Sequence, residues 1–290
     1  MAFTPNLSAR SATDTSPCSF RISRIRIRLS LPDSHKKYIF FDIDNTLAVG
    51  TPEKQYVPDS AVQAIRALRE AGHFTAIATG RAHAMAIGYC RQLGFTNMVS
   101  DGGYGITLDG KLREIRTLPY RKCLDVIDEC KAKGIAWAVQ IDDSDTRLAP
   151  DDRFLNETHD IYMKTKTVPG LNVREYPAIY KIYIAGRYPV EKEISSLQSL
   201  PHCRYHDEYL FVEPADKAYG IRKMVSLLGG STRDVIVFGD ELNDLSMFTG
   251  EWPCVAMGNA VPELKEKADF VTKNAADDGI FHACRHLGLI

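Results

Sequence analysis

The stretch Tyr38-Ile39-Phe40-Phe41-Asp42-Ile43-Asp44-Asn45-Thr46-Leu47 constrains the chain most. An apolar β-branched and aromatic run that stops on polar residues reads as a strand buried on both faces. Such strands belong to parallel sheets, whose carboxyl ends are where ligands bind. Asp42 and Asp44 fall at that end, two residues apart. Two carboxylates so placed repel each other unless a cation or a shared proton relieves them. Alone, the pair is more often a polar strand end leading into a solvated turn.

The same pattern returns twice. Phe74 to Thr79 is a second buried strand ending on a hydroxyl, followed by Gly80-Arg81. Val235 to Phe238 is a third, followed directly by Gly239-Asp240-Glu241-Leu242-Asn243-Asp244. Between them lie helical stretches that start at Pro58-Asp59-Ser60 and stop at Gly72, then run on to about Leu93 and stop at Gly94. Met98-Val99 is a further short strand, ending at Ser100-Asp101-Gly102-Gly103. Alternation of strand and helix predicts a right-handed, doubly wound parallel sheet of the α/β class. Parallel neighbours would bring Asp42, Asp44, Thr79, Asp240 and Asp244 together. Crowded carboxylates beside other oxygen donors suit Mg²⁺, and no EF-hand-like loop favours Ca²⁺. A metal beside a carboxylate at a strand end suits phosphoryl transfer, where positioning and charge neutralisation carry the chemistry.

The middle of the chain has another character. Asp109-Gly110 joins two short strands as a hairpin, a helix covers about Tyr120 to Lys133, and strands follow at Ile135–Ile141 and Ile179–Ala185. Val190 to Leu200 reads as a helix. This mixed pattern predicts an inserted α+β domain. The expected organisation is a dispensable or disordered tail over 1–36, a core over 37–117 and 204–290 that includes a strand at Tyr209–Glu213, and an inserted cap over 118–203. The tail is rich in Ser, Thr and Arg, as a transit peptide would be, although a misplaced start or a disordered tail reads the same way.

With 290 residues, two cores are possible. A formal net charge of -1 gives no reason to expect nucleic acid or an acidic membrane as partner. No apolar run is long enough to span a bilayer. The seven cysteines are odd in number and include no CxxC pair, so they read as free thiols in a reducing compartment. The expected location is the cytoplasm, with organelle targeting by the tail as the alternative.

Asp42-Ile43-Asp44-Asn45-Thr46 resembles the first motif of the haloacid dehalogenase-like superfamily. Thr79-Gly80-Arg81 resembles its second, Lys217 at the opening of a helix its third, and Gly239 to Asp244, in the form GDxxND, its fourth. Their order, with an insertion between the second and third, resembles the Cof-type branch with a large α/β cap. The resemblance covers Lys37 to Ile290. It implies Asp42 as nucleophile, forming an aspartyl-phosphate, and Asp44 as general acid and base. It implies a metal held by Asp42, the backbone carbonyl of Asp44, and Asp240. Thr79, Gly80, Lys217 and Asn243 would bind phosphate, and Asp244 would support metal and lysine from behind. Asp44 should then have a higher pKa than Asp42.

The chain departs from the family at Asp101-Gly102-Gly103, where many relatives carry Asn-Gly-Ala; that bears on specificity more than on turnover. Tyr180, Lys181 and Tyr183 either line a substrate pocket or follow strand alternation. The implied activity is Mg²⁺-dependent hydrolysis of a small phosphomonoester such as a sugar phosphate. A phosphosugar mutase and a phosphometabolite-binding regulator without turnover are the alternatives. Neither the substrate nor the oligomeric state can be read from the sequence.

Overall fold

The computed structural model describes residues 35–51 and 54–290. The expected tail over 1–36 therefore falls almost wholly outside the described residues. Lys36–Ile290 form one compact unit.

The chain opens with β1 (Tyr38–Phe41), the small antiparallel pair β2 (Val49–Thr51) and β3 (Lys54–Tyr56), and α1 (Asp59–Glu70). It continues through β4 (Phe74–Ala78), α2 (His83–Gln92), β5 (Met98–Ser100), β6 (Gly105–Leu108) and β7 (Lys111–Ile115). The inserted part holds α3 (Tyr120–Lys133), β8 (Trp137–Gln140), β9 (Thr146–Ala149), α4 (Arg153–Thr158) and β10 (Lys164–Thr167). It goes on through β11 (Lys181–Ala185), α5 (Val190–Glu193), β12 (His202–His206) and β13 (Tyr209–Val212). The chain ends with α6 (Lys217–Leu227), β14 (Val235–Gly239), β15 (Cys254–Ala256), α7 (Pro262–Lys267), β16 (Phe270–Val271) and α8 (Gly279–His286).

The core sheet has the order β16-β15-β14-β1-β4-β5-β6-β7. It is parallel from β16 to β5 and antiparallel beyond, where the Asp109-Gly110 hairpin returns the chain. β1 lies in the middle, and all four of its side chains are buried. Alternate residues feed the two faces, as strand geometry requires. Ile39 and Phe41 pack with the apolar stripes of α1, α2 and α8, whereas Tyr38 and Phe40 pack with α6 and α7. This is the doubly wound α/β core that the alternation of strand and helix predicts.

The second sheet has the order β10-β9-β8-β11-β13-β12 and mixes parallel with antiparallel pairs, as an α+β cap should. α3 covers one face, and Cys123 and Cys130 are packing residues on its buried side. The other face is aromatic: Phe154, Tyr183, Tyr209 and Phe211 cluster there.

Two expectations are corrected. Tyr209–Val212 is a strand, but it pairs with Ile182–Ala185 in the cap rather than with the core. The chain therefore re-enters the core only after Val212, not at 204. A four-residue apolar run buried on both faces looks the same in either sheet, so its sequence does not choose between them. The segment Val190–Leu200 is not one helix: α5 stops at Glu193, Ile194 is extended, and a 3₁₀ turn covers Ser195–Ser199. The Glu129 carboxylate accepts hydrogen bonds from the Ser195 and Ser196 amides at 2.9 Å each, which fixes that break.

The Asp101-Gly102-Gly103 knuckle supports the return to the core. Gly102 has φ 58° and Gly103 φ 110°, and a Cβ on either would lie within 2 Å of the carbonyl oxygens of Pro214 and Asp216 respectively. Asp101 does not face the cleft. Its Oδ2 accepts from the His83 amide at 3.0 Å and the Ser100 hydroxyl at 2.8 Å, at the start of α2. The departure from Asn-Gly-Ala thus shapes a backbone contact and a helix start, not a substrate contact.

Candidate active site

Register aligns Phe41 with Phe238 on one side and with Ile77 on the other. Asp42 follows one residue beyond that register and Asp240 and Thr79 two beyond it, so all three lie at the same end of the sheet. The Asp42 amide still donates to the Phe238 carbonyl at 3.0 Å, so the ladder reaches the first acid. Beyond it the chain turns sharply. The Ile43 carbonyl accepts from the Leu47 and Ala48 amides, and Asn45 takes the left-handed conformation at φ 54°. Asn tolerates that region better than most residues.

Lys217, the first residue of α6, is 1% exposed and lies between two acids. Its Nζ donates to Asp42 Oδ1 at 2.7 Å and to Asp244 Oδ1 at 2.6 Å. The other Asp244 oxygen accepts from the Asp240 and Glu241 amides at 2.8 and 3.1 Å. Asp244 is thereby committed to organising the loop and the lysine. Asp240 Oδ1 accepts from the Thr46 hydroxyl at 2.8 Å.

Oxygens of Asp42, Asp240 and Asp244 all come within 4.8 Å of one another. Three carboxylates face one ammonium, a formal excess of two negative charges. Burial, only partly offset by Lys217 and reinforced by Asp244 and Asp44, pushes the Asp42 carboxyl up to about 7. Burial, with Asp42 and Asp244 adding to it, pushes Asp240 up to about 9. Burial opposes the charge on Lys217, but the two acids outweigh it and hold the ammonium charged. Asn243 stands beside this cluster, its side-chain oxygen buried without a hydrogen-bond partner among the described residues. Hard oxygen donors with excess negative charge fit a divalent cation of the Mg²⁺ kind. Asp42 and Asp240 are the side chains with coordinating capacity left.

Asp44 behaves differently from expectation. Arg81 clamps its carboxylate through Nε at 2.9 Å and Nη2 at 2.5 Å, and Gln55 donates to it at 2.7 Å. Burial raises its pKa, but the Arg81 and Gln55 interactions outweigh that and hold it below the ordinary carboxylate range. The expected order, with Asp44 above Asp42, is reversed here. One bidentate guanidinium and a neutral amide act on one acid while low-dielectric crowding acts on the other.

Thr79 is buried at the end of β4, and its Oγ1 accepts from the Arg81 amide at 3.1 Å. A Cβ at Gly80 would make only ordinary contacts, 3.5 Å from Asn243 Nδ2 and 3.7 Å from Glu213 Oε1. Core and cap enclose a cavity of about 750 Å³ above these groups. Asp42, Asp44, Thr79, Gly80, Asp240 and Asn243 line its core side. The cap side carries the His159-to-Tyr162 loop and Phe211. Asp160 anchors that loop through the buried Arg147 and through Tyr209 Oη at 2.8 Å. Ile161, next along, is 79% exposed. Tyr180, Lys181 and Tyr183 do not line the cavity; Tyr183 is part of the aromatic cluster and Lys181 is buried beside Glu213. Sequence reading gave no role to Arg81, Gln55, Thr46 or Glu213. Arg81 is the last residue of the stretch that resembles the second motif, and that place was its only signal.

The family described as haloacid dehalogenase-like hydrolase matches residues 39–284. A putative phosphatase of Bacillus subtilis (strain 168), YkrA, is 31% identical over 269 residues, covering 88% of this chain and 98% of that protein. A putative bifunctional phosphatase/peptidyl-prolyl cis-trans isomerase of Streptococcus pyogenes serotype M6 is also 31% identical. That match covers 88% of this chain but only 54% of the longer protein. Among solved structures, a hypothetical protein of Geobacillus kaustophilus HTA426 superposes with a TM-score of 0.75 at 32% identity, covering 88% of this chain and all of that one.

Proposed function

The chain belongs to the haloacid dehalogenase-like hydrolases and is a phosphoric monoester hydrolase, and from that premise we propose that it is Mg²⁺-dependent, acts through an aspartyl-phosphate on Asp42, and hydrolyses a small phosphorylated metabolite such as a sugar phosphate. The observation that carries this reading is the meeting of Asp42 and Asp240 on the floor of a cleft roofed by the cap, with Lys217 buried against Asp42.

Lys217 holds Asp42 Oδ1, so the second oxygen of Asp42 attacks phosphorus. A bond from that oxygen to phosphorus forms as the bond to the ester oxygen breaks. The leaving oxygen takes a proton from Asp44. Water then attacks the aspartyl-phosphate, Asp44 accepts the water proton, and the bond to Asp42 breaks to release phosphate. Thr79, Lys217 and Asn243 donate to the phosphoryl oxygens. For the first proton transfer Asp44 must leave the grip of Arg81 and take up a proton from solvent water, so substrate entry has to turn that guanidinium aside. Asp42, the Asp44 carbonyl and Asp240 would hold a Mg²⁺ ion, which would supply the charge neutralisation an anionic nucleophile needs to approach a phosphate. The cap closes over the site and limits access of bulk water. Among the described residues, no helix is long and apolar enough to cross a membrane.

The test is a phosphate-release screen of sugar phosphates and other small phosphomonoesters on purified protein, with Mg²⁺ and then with EDTA. The expected result is hydrolysis of at least one of them, abolished by EDTA and restored by excess Mg²⁺. Turnover that persists in EDTA would remove Asp240 from its role. Isomerised product without phosphate release would indicate a mutase.

A further inference from the structure

Lys181 opens β11 in the cap, yet its ammonium lies against the core. Its Nζ donates to the Gly80 carbonyl at 2.7 Å and to Glu213 Oε2 at 2.5 Å, and the residue is 3% exposed. Burial opposes its charge, but Glu213 outweighs that and keeps it protonated. A buried lysine aimed at a backbone carbonyl of another domain needs a reason, because ordering and desolvating it is costly.

The Gly80 carbonyl belongs to the same planar peptide as the Arg81 amide. In a trans peptide the two groups point in opposite directions. Holding the carbonyl toward Lys181 therefore directs the Arg81 N–H the other way, onto Thr79 Oγ1 at 3.1 Å. With its oxygen accepting there, the Thr79 hydroxyl has its own proton to donate to another partner. The cap grips the following residues as well. Asp143, between β8 and β9, accepts from the Ala84 amide at 2.9 Å and lies 2.7 Å from His83 Nδ1.

We propose that Lys181 is a positioning residue: through the Gly80–Arg81 peptide it sets the Thr79 hydroxyl, so the phosphate-binding turn is complete only while the cap is seated on it. This rests on the phosphatase reading for what the turn binds. It assigns to the cap a part in binding the phosphate itself, separate from any contact with the leaving group.

The test uses full-length protein with Mg²⁺ and inorganic phosphate as the probe, by titration calorimetry, on wild type, Lys181→Met, Glu213→Gln and the Lys181→Met/Glu213→Gln pair. The pair removes the carboxylate that Lys181→Met would strand, so a folded variant is in hand even if the single change unfolds. Measured against Glu213→Gln, the pair is expected to bind phosphate about 10-fold more weakly or worse, the scale of a misplaced binding group. kcat/KM should fall by the same factor for acetyl phosphate and for the best substrate of the screen. Unchanged phosphate affinity in the folded pair overturns the proposal. So does a loss confined to the larger substrate, which would place Lys181 against the leaving group. Wild type that binds phosphate but releases none from any ester counts against the phosphatase reading, while the affinities still decide the role of Lys181. Wild type that binds no phosphate defeats both.

Discussion

Asp42→Asn lowers turnover by about four orders of magnitude or more, the scale seen when a covalent nucleophile is removed. It should leave the fold intact. The amide oxygen of Asn can still accept from Lys217, as Asp42 Oδ1 does at 2.7 Å. The substitution also removes one of three crowded negative charges without changing volume. Asp42 is 3% exposed, and its ionised form is the one that burial and its acidic neighbours disfavour. The expected signature is therefore a dead enzyme whose urea midpoint is no lower than that of wild type. Steady-state kinetics and a denaturation curve on the same preparation check both halves. Appreciable activity in the variant would mean that water, not this carboxylate, attacks phosphorus.

The opposite signature is expected for Lys217→Met. This side chain is the counter-ion of both Asp42 and Asp244. Methionine fills similar space but leaves two buried carboxylates facing each other with no cation between them. Breaking a buried pair by removing one partner costs about 3–5 kcal/mol. The loss should appear as a marked fall in the denaturation midpoint in metal-free buffer at neutral pH. Activity should fall as well, because the proposed donor to the phosphoryl oxygens is gone. An unchanged midpoint would mean that the acids are relieved by another route and that Lys217 is not what holds the cluster together. Taken together, the two variants separate chemistry from charge balance: one acid removed without penalty, one base removed at high cost.

Much of this site is legible in the sequence because it sits at the ends of buried parallel strands. Apolar runs such as Tyr38–Phe41 and Val235–Phe238 announce themselves, and the acids that stop them must then lie at one edge of the sheet. The helix Tyr120–Lys133 is equally plain, with an apolar stripe and Gly134 in the left-handed conformation to end it. What escapes notice depends on pairing across long separations. Arg81 and Asp44 are 37 residues apart, and Lys181 and Glu213 are 32 apart. In one dimension each reads as an ordinary solvated charge. Only the fold turns the first pair into a clamp on the proposed proton donor and the second into a tie between cap and core. The assignment of Tyr209–Val212 to the core fails for a related reason: strand-forming residues state that a strand exists, not which sheet receives it.

The claim beneath all of this is that phosphate passes through the side chain of Asp42. Mixing wild-type protein and Mg²⁺ with excess substrate, quenching in acid within one turnover, and mapping the peptides by mass spectrometry tests it directly. The account predicts one added phosphoryl group on the peptide spanning Asp42 and none in Asp42→Asn. Rapid product release with no phosphoryl group on that peptide, or one attached elsewhere, would contradict it.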